Sequence, residues 1–301
     1  MSDESNQGYY FQVDLKYPNY IKEYTKNLPL APVKRNIENG ELSNYQHFLI
    51  KDQNRIPQEK LLCDQYDKER YVCHYRNLKF YLRQGMIITK IHKVLQFNQS
   101  PWLKGYIAFN TEQRNKPWNS LFEKNFFKLM NNSFYGKTVE NIRNRLEIHL
   151  INNDEEKVIK YQSKPNFMNT VTFTETLKAV KMRKKSITFN KPIYVGISVL
   201  EHSKLHMYEF YYDVLKRKYN NNVELIRMDT DSFFLNIHTD DLWNEIKSNP
   251  ELYKWFDFSN APKDHFLYNP SNKKLGMFKY ELAVDKKIEK RWLRFGVKYV
   301  S

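Results

Sequence analysis

The feature that most restricts how this chain can fold is the tetrapeptide Asp229-Thr230-Asp231-Ser232, set between two apolar runs. Val223 to Met228 reads VELIRM, and Phe233 to Ile237 reads FFLNI. Two β-prone runs joined by a short polar stretch predict a β-hairpin. Residues two apart along a strand share a face, so Asp229 and Asp231 can point the same way. Two carboxylates held together repel unless a cation lies between them. Hard oxygen donors of this kind suit Mg²⁺, which also takes substrate phosphates. A solvated acidic turn looks the same when it stands alone, and a second motif is needed to choose between the two.

That second motif is KLMNNSFYGK, Lys128 to Lys137, which closes a helical pattern beginning near Ser120. Leu121, Phe122, Phe126, Leu129, Met130 and Phe134 recur at steps of mostly three and four, which gathers them on one helix face. Lys124, Lys128 and Asn132 follow at steps of four and form a neighbouring polar stripe. A cation, an amide and an aromatic along one face can hold a nucleotide. Lysine meets phosphate as a point charge, Tyr135 can lie against a base or sugar, and Gly136 admits close approach. Taken alone, an ordinary amphipathic helix with a solvated lysine carries the same pattern.

The rest of the chain reads as mixed α+β. Strands are predicted at Tyr9 to Val13, Ile87 to Phe97, Leu146 to Ile151 and Val171 to Phe189, the last interrupted by the basic run KAVKMRKKS. Asn19 to Asn27 reads as a short amphipathic piece, and Arg70 to Arg83 as a β-like start with a helix-like end, stopped by Gly85. Ser100-Pro101 opens a helix. Pro192 to Leu200 reads as a buried strand. Glu201 to Tyr219 reads as a helix with Met207, Phe210, Tyr211 and Leu215 on one face, and Asn220 to Asn222 turns into the hairpin.

The two motifs together resemble family B DNA polymerases. The finger-helix motif of that family, K-x-x-x-N-S-x-Y-G, is matched at every fixed position by Lys128, Asn132, Ser133, Tyr135 and Gly136. Its palm motif, D-T-D-S, is matched by Asp229 to Ser232. The wider chain is similar to polymerases of the protein-primed branch found in large self-replicating DNA transposons (Polinton or Maverick elements) and related viruses. Tyr17 to Pro32, His74 to Leu82, Gln99 to Arg114 and Lys191 to Phe210 carry that similarity, so it covers most of the chain.

The resemblance implies an α+β fold: a palm with an antiparallel β-sheet backed by helices, helical fingers, an insertion hairpin and the start of a thumb. Its divisions fall at 1–98 (an incomplete palm-associated region), 99–145 (fingers), 146–190 (insertion), 191–268 (palm) and 269–301 (thumb start). It implies a DNA-directed DNA polymerase in which Asp229 and Asp231 hold two Mg²⁺ ions, with Mn²⁺ as a substitute. Lys128 would neutralise the triphosphate, and Asn132 and Tyr135 would line the nascent base pair. Arg114 would reach the triphosphate from the fingers, with a surface arginine as the alternative reading. Gly136, Lys137 and Lys298 would meet DNA, Lys137 being equally readable as a charge at a helix C-terminus. The partners implied are a DNA primer-template, deoxynucleoside triphosphates and a terminal protein primer. The location implied is intracellular, in the nucleus for an integrated transposon and otherwise the cytoplasm.

Composition is compatible with these partners without pointing to them alone. The chain has 301 residues and a formal net charge of +15, a balance that favours polyanions but also suits a ribosomal or membrane-surface protein. Two cysteines, Cys63 and Cys73, make neither a disulfide framework nor a cysteine-based zinc site. No apolar run approaches the length of a membrane span.

Two departures from the family pattern stand out. A two-metal site needs a further carboxylate, which the family takes from D-x-x-S-L-Y-P. This chain offers VDLKYP, in which Tyr17 stands only three positions after Asp14. Asp14 is therefore not read as the missing ligand, and the sequence is expected to begin just after the true motif, without the exonuclease domain. At the other end, FGVKYVS resembles a lysine-tyrosine element that touches the primer terminus, but Lys298 and Tyr299 are adjacent where the family has one residue between them. His202 and His206 lie four apart, a spacing that can bind zinc, but no third ligand accompanies them, and packing or surface roles are expected. The alternatives are a non-catalytic nucleic-acid-binding remnant of such a polymerase and a D-x-D glycosyltransferase, the latter disfavoured by the finger motif.

Overall fold

A computed structural model describes residues 5–52, 59–259, 261–271, 274–280 and 293–297 of the chain. It is a mixed α+β structure with small, mostly antiparallel sheets. The chain divides into two compact units, residues 1–115 with 198–301, and residues 116–197. Among the described residues no helix is long and apolar enough to cross a membrane.

The first unit begins with β1 (Gln7–Lys16), whose Val13 and Leu15 are fully buried. After α1 (Asn19–Thr25), β2 (Val33–Arg35) and β3 (Lys60–Leu62) pair antiparallel, with α2 (Asn44–Asp52) between them in sequence. The predicted β-then-helix segment is present as β4 (Lys68–His74) and α3 (Tyr75–Arg83). Tyr75, Leu78, Phe80 and Tyr81 of α3 are buried, and the helix ends at Gly85, which adopts φ +102. That conformation suits a residue without a Cβ. The chain returns through β5 (Ile87–Asn98), and the sheet order is β4-β1-β5. Helix α4 (Lys104–Asn115) closes this part.

The second unit opens with α5 (Leu121–Thr138), the motif helix. Its start follows from a capping box: Ser120 Oγ accepts from the Glu123 N–H at 3.2 Å, and Glu123 Oε2 accepts from the Ser120 N–H at 2.7 Å. Next come β6 (Leu146–Asn152), α6 (Glu155–Gln162), β7 (Phe167–Thr172) and β8 (Leu177–Arg183). The sheet order is β6-β8-β7, and Ile151, Val158, Val180 and Met182 form a small core between the sheet and α6. Here one sequence expectation is corrected. The basic run does not interrupt a strand; its first residues are the central strand β8. Val180 and Met182 lie two apart and so share one strand face, which is the buried one, while Lys178 and Lys181 remain half-buried.

A second correction concerns Pro192 to Leu200, which is helix rather than strand. It forms the start of α7 (Ile193–Glu209). An apolar run of that length has no decisive periodicity, and continuation into the following helix settles the outcome. Gly196 fits this helix because a Cβ there would lie 2.1 Å from Val139 Cγ1.

Back in the first unit, α7 runs into a π-helical stretch, Phe210–Lys216, and a last turn, α8 (Arg217–Tyr219). Met207, Phe210, Tyr211 and Leu215 are all buried, as their predicted shared face requires. The hairpin follows as β9 (Val223–Asp229) and β10 (Ser232–Ile237). After α9 (Leu242–Ser248) and α10 (Pro250–Tyr253), β11 (Phe256–Asp257), β12 (Phe278–Tyr280) and β13 (Leu293–Val297) complete a sheet of order β11-β12-β13-β10-β9. Phe278, expected within the entry to a thumb, thus belongs to the sheet that carries the hairpin. Its ring stacks on Phe210 with centroids 3.7 Å apart, and Phe233 of β10 lies 6.0 Å away. This stack holds the hairpin against the π-helical segment.

Candidate functional site

The hairpin carboxylates sit at a tight turn. Asp229 pairs with Ser232, which leaves Thr230 and Asp231 as a two-residue loop. The Asp231 N–H donates to the Asp229 carbonyl at 2.5 Å, and Ser232 Oγ donates to the same oxygen at 3.3 Å. Asp231 therefore lies in the turn and not in the strand, so the expected two-residue strand alternation does not govern its direction. Thr230 adopts φ 48, a left-handed conformation that costs a β-branched residue roughly 1–3 kcal/mol. Both carboxylates are exposed. Arg227 approaches Asp229 at 3.8 Å.

As metal donors, Asp229 and Asp231 offer hard oxygens on an open tip, and Mg²⁺ is commonly held by one or two carboxylates together with substrate phosphates. Among the described residues no group of three His, Cys, Asp or Glu forms a metal cluster. Among the described residues the donor set here is thus the pair.

Asp14 is engaged elsewhere. It lies in β1, in a different sheet from the hairpin. Its Oδ1 accepts from the Arg70 N–H at 2.8 Å and meets His92 Nε2 at 2.7 Å. The backbone hydrogen bond first, and the histidine second, hold its carboxyl below the usual aspartate value. No sequence signal pairs Asp14 with His92, because register across β1 and β5 brings them together.

Lys128, Asn132, Tyr135, Gly136 and Lys137 all lie on α5, as the spacing predicts. Lys128, Asn132, Gly136 and Lys137 are exposed, and Tyr135 is half-buried. The apolar stripe is not a buried face: Leu121, Phe122, Phe126 and Leu129 are exposed, and the buried residues of the helix are Asn131 and Thr138. Lys137 Nζ reaches Glu140 Oε2 at 3.4 Å. Glu140 also takes Arg145 at 2.7 Å and Lys191 at 3.3 Å. The Arg145 hydrogen bond is the largest of the influences that draw its carboxyl down to about 2. This carboxylate with three cations was not singled out from sequence, since Glu140 and Lys191 are far apart in the chain.

Arg114 occupies the last turn of α4, half-buried, in the first unit. Lys298 lies outside the described residues. His202 and His206 take packing roles: His206 Nε2 donates to the Gly276 carbonyl at 2.8 Å and its ring stacks on Phe278, while the His202 ring lies 4.6 Å from that of His74. Burial lowers the His206 pKa.

No family model, no curated protein and no solved structure matches the chain.

Proposed function

We propose that the chain is part of a family B, protein-primed-type DNA polymerase, and that it takes part in template-directed attack of a primer 3′-hydroxyl on the α-phosphate of a deoxynucleoside triphosphate. The observation that carries this reading is the joint occurrence of two motifs in fitting local structure. D-T-D-S closes a tight hairpin with both carboxylates exposed, and K-x-x-x-N-S-x-Y-G runs along one 18-residue helix with its lysine and asparagine exposed. The left-handed Thr230 between the two aspartates supports it, because backbone strain concentrates at functional turns.

In this reading Asp229 and Asp231 hold Mg²⁺, which lowers the cost of charge developing on the phosphoryl oxygens. Lys128 neutralises the triphosphate, Asn132 and Tyr135 line the nascent pair, and Arg114 is a second triphosphate contact. Gly136, Lys137 and Lys298 meet DNA, with Lys137 exchanging Glu140 for phosphate. Positioning and charge stabilisation suffice, and no covalent nucleophile is needed. A non-catalytic DNA-binding role is the second reading. It is favoured by one observation, the engagement of Asp14 with His92 and Arg70, which leaves the hairpin pair without that carboxylate.

The test is primer extension with Mg²⁺, by the 301-residue chain alone and with a D-x-x-S-L-Y-P segment from a protein-primed relative fused ahead of it. Extension that Asp231→Asn reduces by several orders of magnitude, with primer-template binding retained, is the expected result. Primer-template binding with no extension by either form supports the second reading. Extension unaffected by Asp231→Asn removes the metal assignment.

A further inference from the structure

A cleft in the first unit lies apart from every residue assigned above. It opens where β1 runs into α1, against the 65–67 turn before β4, with a volume of about 590 Å³. Lys16, Tyr20, Lys22, Tyr66 and Asp67 are among its lining residues. Tyr20 is 71% exposed and Tyr66 is 61% exposed, so neither ring serves the core. Tyr20 is nevertheless fixed. Its hydroxyl donates to the Gly85 carbonyl at 2.9 Å, across the turn that joins α3 to β5. The Arg35 guanidinium lies 5.9 Å from the Tyr66 ring centroid. Among the described residues neither Lys16 nor Lys22 has a carboxylate partner within ion-pair distance. Asp67, the one acid of the cleft among the described residues, has Oδ1 occupied by the Tyr17 N–H at 2.6 Å.

Two exposed aromatic rings, one anchored by its hydroxyl, next to ammonium groups without a carboxylate partner among the described residues, match one ligand chemistry better than others. An acidic peptide would use the lysines and leave the rings idle. A neutral aromatic ligand would use the rings and leave the lysines idle. Every nucleotide of an unpaired strand carries both a π-face and a phosphate. The chain's net charge of +15 would concentrate such a strand near the surface. We propose that this cleft seats a segment of single-stranded nucleic acid, with bases against Tyr20 and Tyr66 and backbone phosphates on Lys16 and Lys22. The proposal goes beyond the polymerase reading and does not depend on it.

The experiment titrates the full chain against a labelled oligothymidylate of about a dozen nucleotides, a length on the scale of known single-strand sites, over a range of salt. Tyr20→Leu/Tyr66→Leu should weaken binding roughly tenfold or more without changing the salt slope, since stacking releases no counterions. Lys16→Gln/Lys22→Gln should weaken binding and reduce the magnitude of the slope by about 1.4, from about 0.7 for each phosphate that a lysine no longer neutralises. Tyr20→Phe keeps the ring but loses its anchor, and should fall between the parent and the leucine variant. Thermal midpoints of all variants should stay at the parent value, because these side chains are largely outside the core. Binding that none of these changes affects would overturn the proposal, as would polyglutamate competing as well as oligothymidylate, or thymidine monophosphate binding as tightly as the strand. Asp231→Asn should leave this binding unchanged, so failure of the cleft and failure of the polymerase reading give different results.

Discussion

The hairpin and the motif helix carry the two signatures that most resemble a polymerase, and their surroundings are opposite. The hairpin tip is exposed, but the strand behind it is anchored by Phe233, which is fully buried among Phe210, Tyr211 and Phe278. Helix α5 presents its polar motif residues and also much of its apolar stripe, with Leu121, Phe122, Phe126 and Leu129 all exposed. A site needs reactive groups that are open and a frame that is closed. The hairpin has both within its own unit, whereas α5 draws its definition from its own capping box and from a buried Asn131 and Thr138. The helix is therefore the element whose local sequence matters most to its own persistence, and the hairpin the one whose packing does.

The largest effect should come from the frame of the hairpin. Phe233→Ala removes a buried ring from the stack and should cost about 3–5 kcal/mol, while Phe126→Ala on α5 should stay within about 1 kcal/mol. Urea denaturation of the two variants checks the contrast. Equal losses would mean that the exposed face of α5 is as well packed as the hairpin, and the comparison would fail.

The next effect separates chemistry from frame on α5. Lys128 is exposed, so Lys128→Ala should leave thermal stability nearly unchanged. In the polymerase reading it should raise the deoxynucleotide concentration needed for incorporation far more than the primer-template concentration. Nucleotide and DNA titrations of the same variant make the comparison, and equal losses in both would move Lys128 to a DNA contact.

A smaller effect tests the cap. Ser120→Ala removes an acceptor from the first turn of α5 and should cost about 1 kcal/mol, read as lost amide protection at Glu123 and Lys124. A loss confined to that turn would support the view that α5 is defined locally.

Much of the first unit was legible because its signals are local and agree with one another. β1 alternates apolar and polar residues from Phe11 to Lys16, α3 has a clear apolar face, and Gly85 stops it where a left-handed residue is required. The hairpin was legible for the same reason, but not its two-residue loop, because Asp229 and Ser232 extend the strands and leave Asp231 in the turn. The errors have physical causes. In Pro192 to Leu200, β-branched residues suggested a strand, but the continuing helix and the close approach of Gly196 to Val139 override that preference. In the basic run, charge hid a strand whose Ala179, Val180 and Met182 are buried beside the half-buried Lys178 and Lys181. The common placement of candidate site residues was legible where one motif holds them together, as on α5. The Asp14–His92 contact, the cations around Glu140 and the cleft of Tyr20 and Tyr66 were not, because each joins residues far apart in sequence.

The smallest effect sharpens the comparison through pH, because the two units should respond in different windows. In the first unit, burial lowers the His206 pKa below its ordinary 6.5, so the folded state binds its proton less readily than the unfolded chain. The stability this residue contributes is complete above pH 6.5 and is lost as pH falls through 6.5 toward the folded value. In the second unit, Glu140 has its carboxyl drawn from 4.5 to about 2 by Arg145, Lys191 and Lys137. Its contribution is present above pH 4.5 and is lost only as pH falls from there toward 2. His206→Gln should flatten the change in melting temperature between pH 7 and 5, and Glu140→Gln should flatten only the change below 4.5. Because the Glu140 share comes from ion pairs with partly exposed cations, it should also shrink in high salt, while the His206 share, set by burial beside Phe278 and Trp255, should not. A His206 variant that melts in parallel with the parent from pH 7 to 5 would show that burial at this position does not set the acid response of the hairpin's frame.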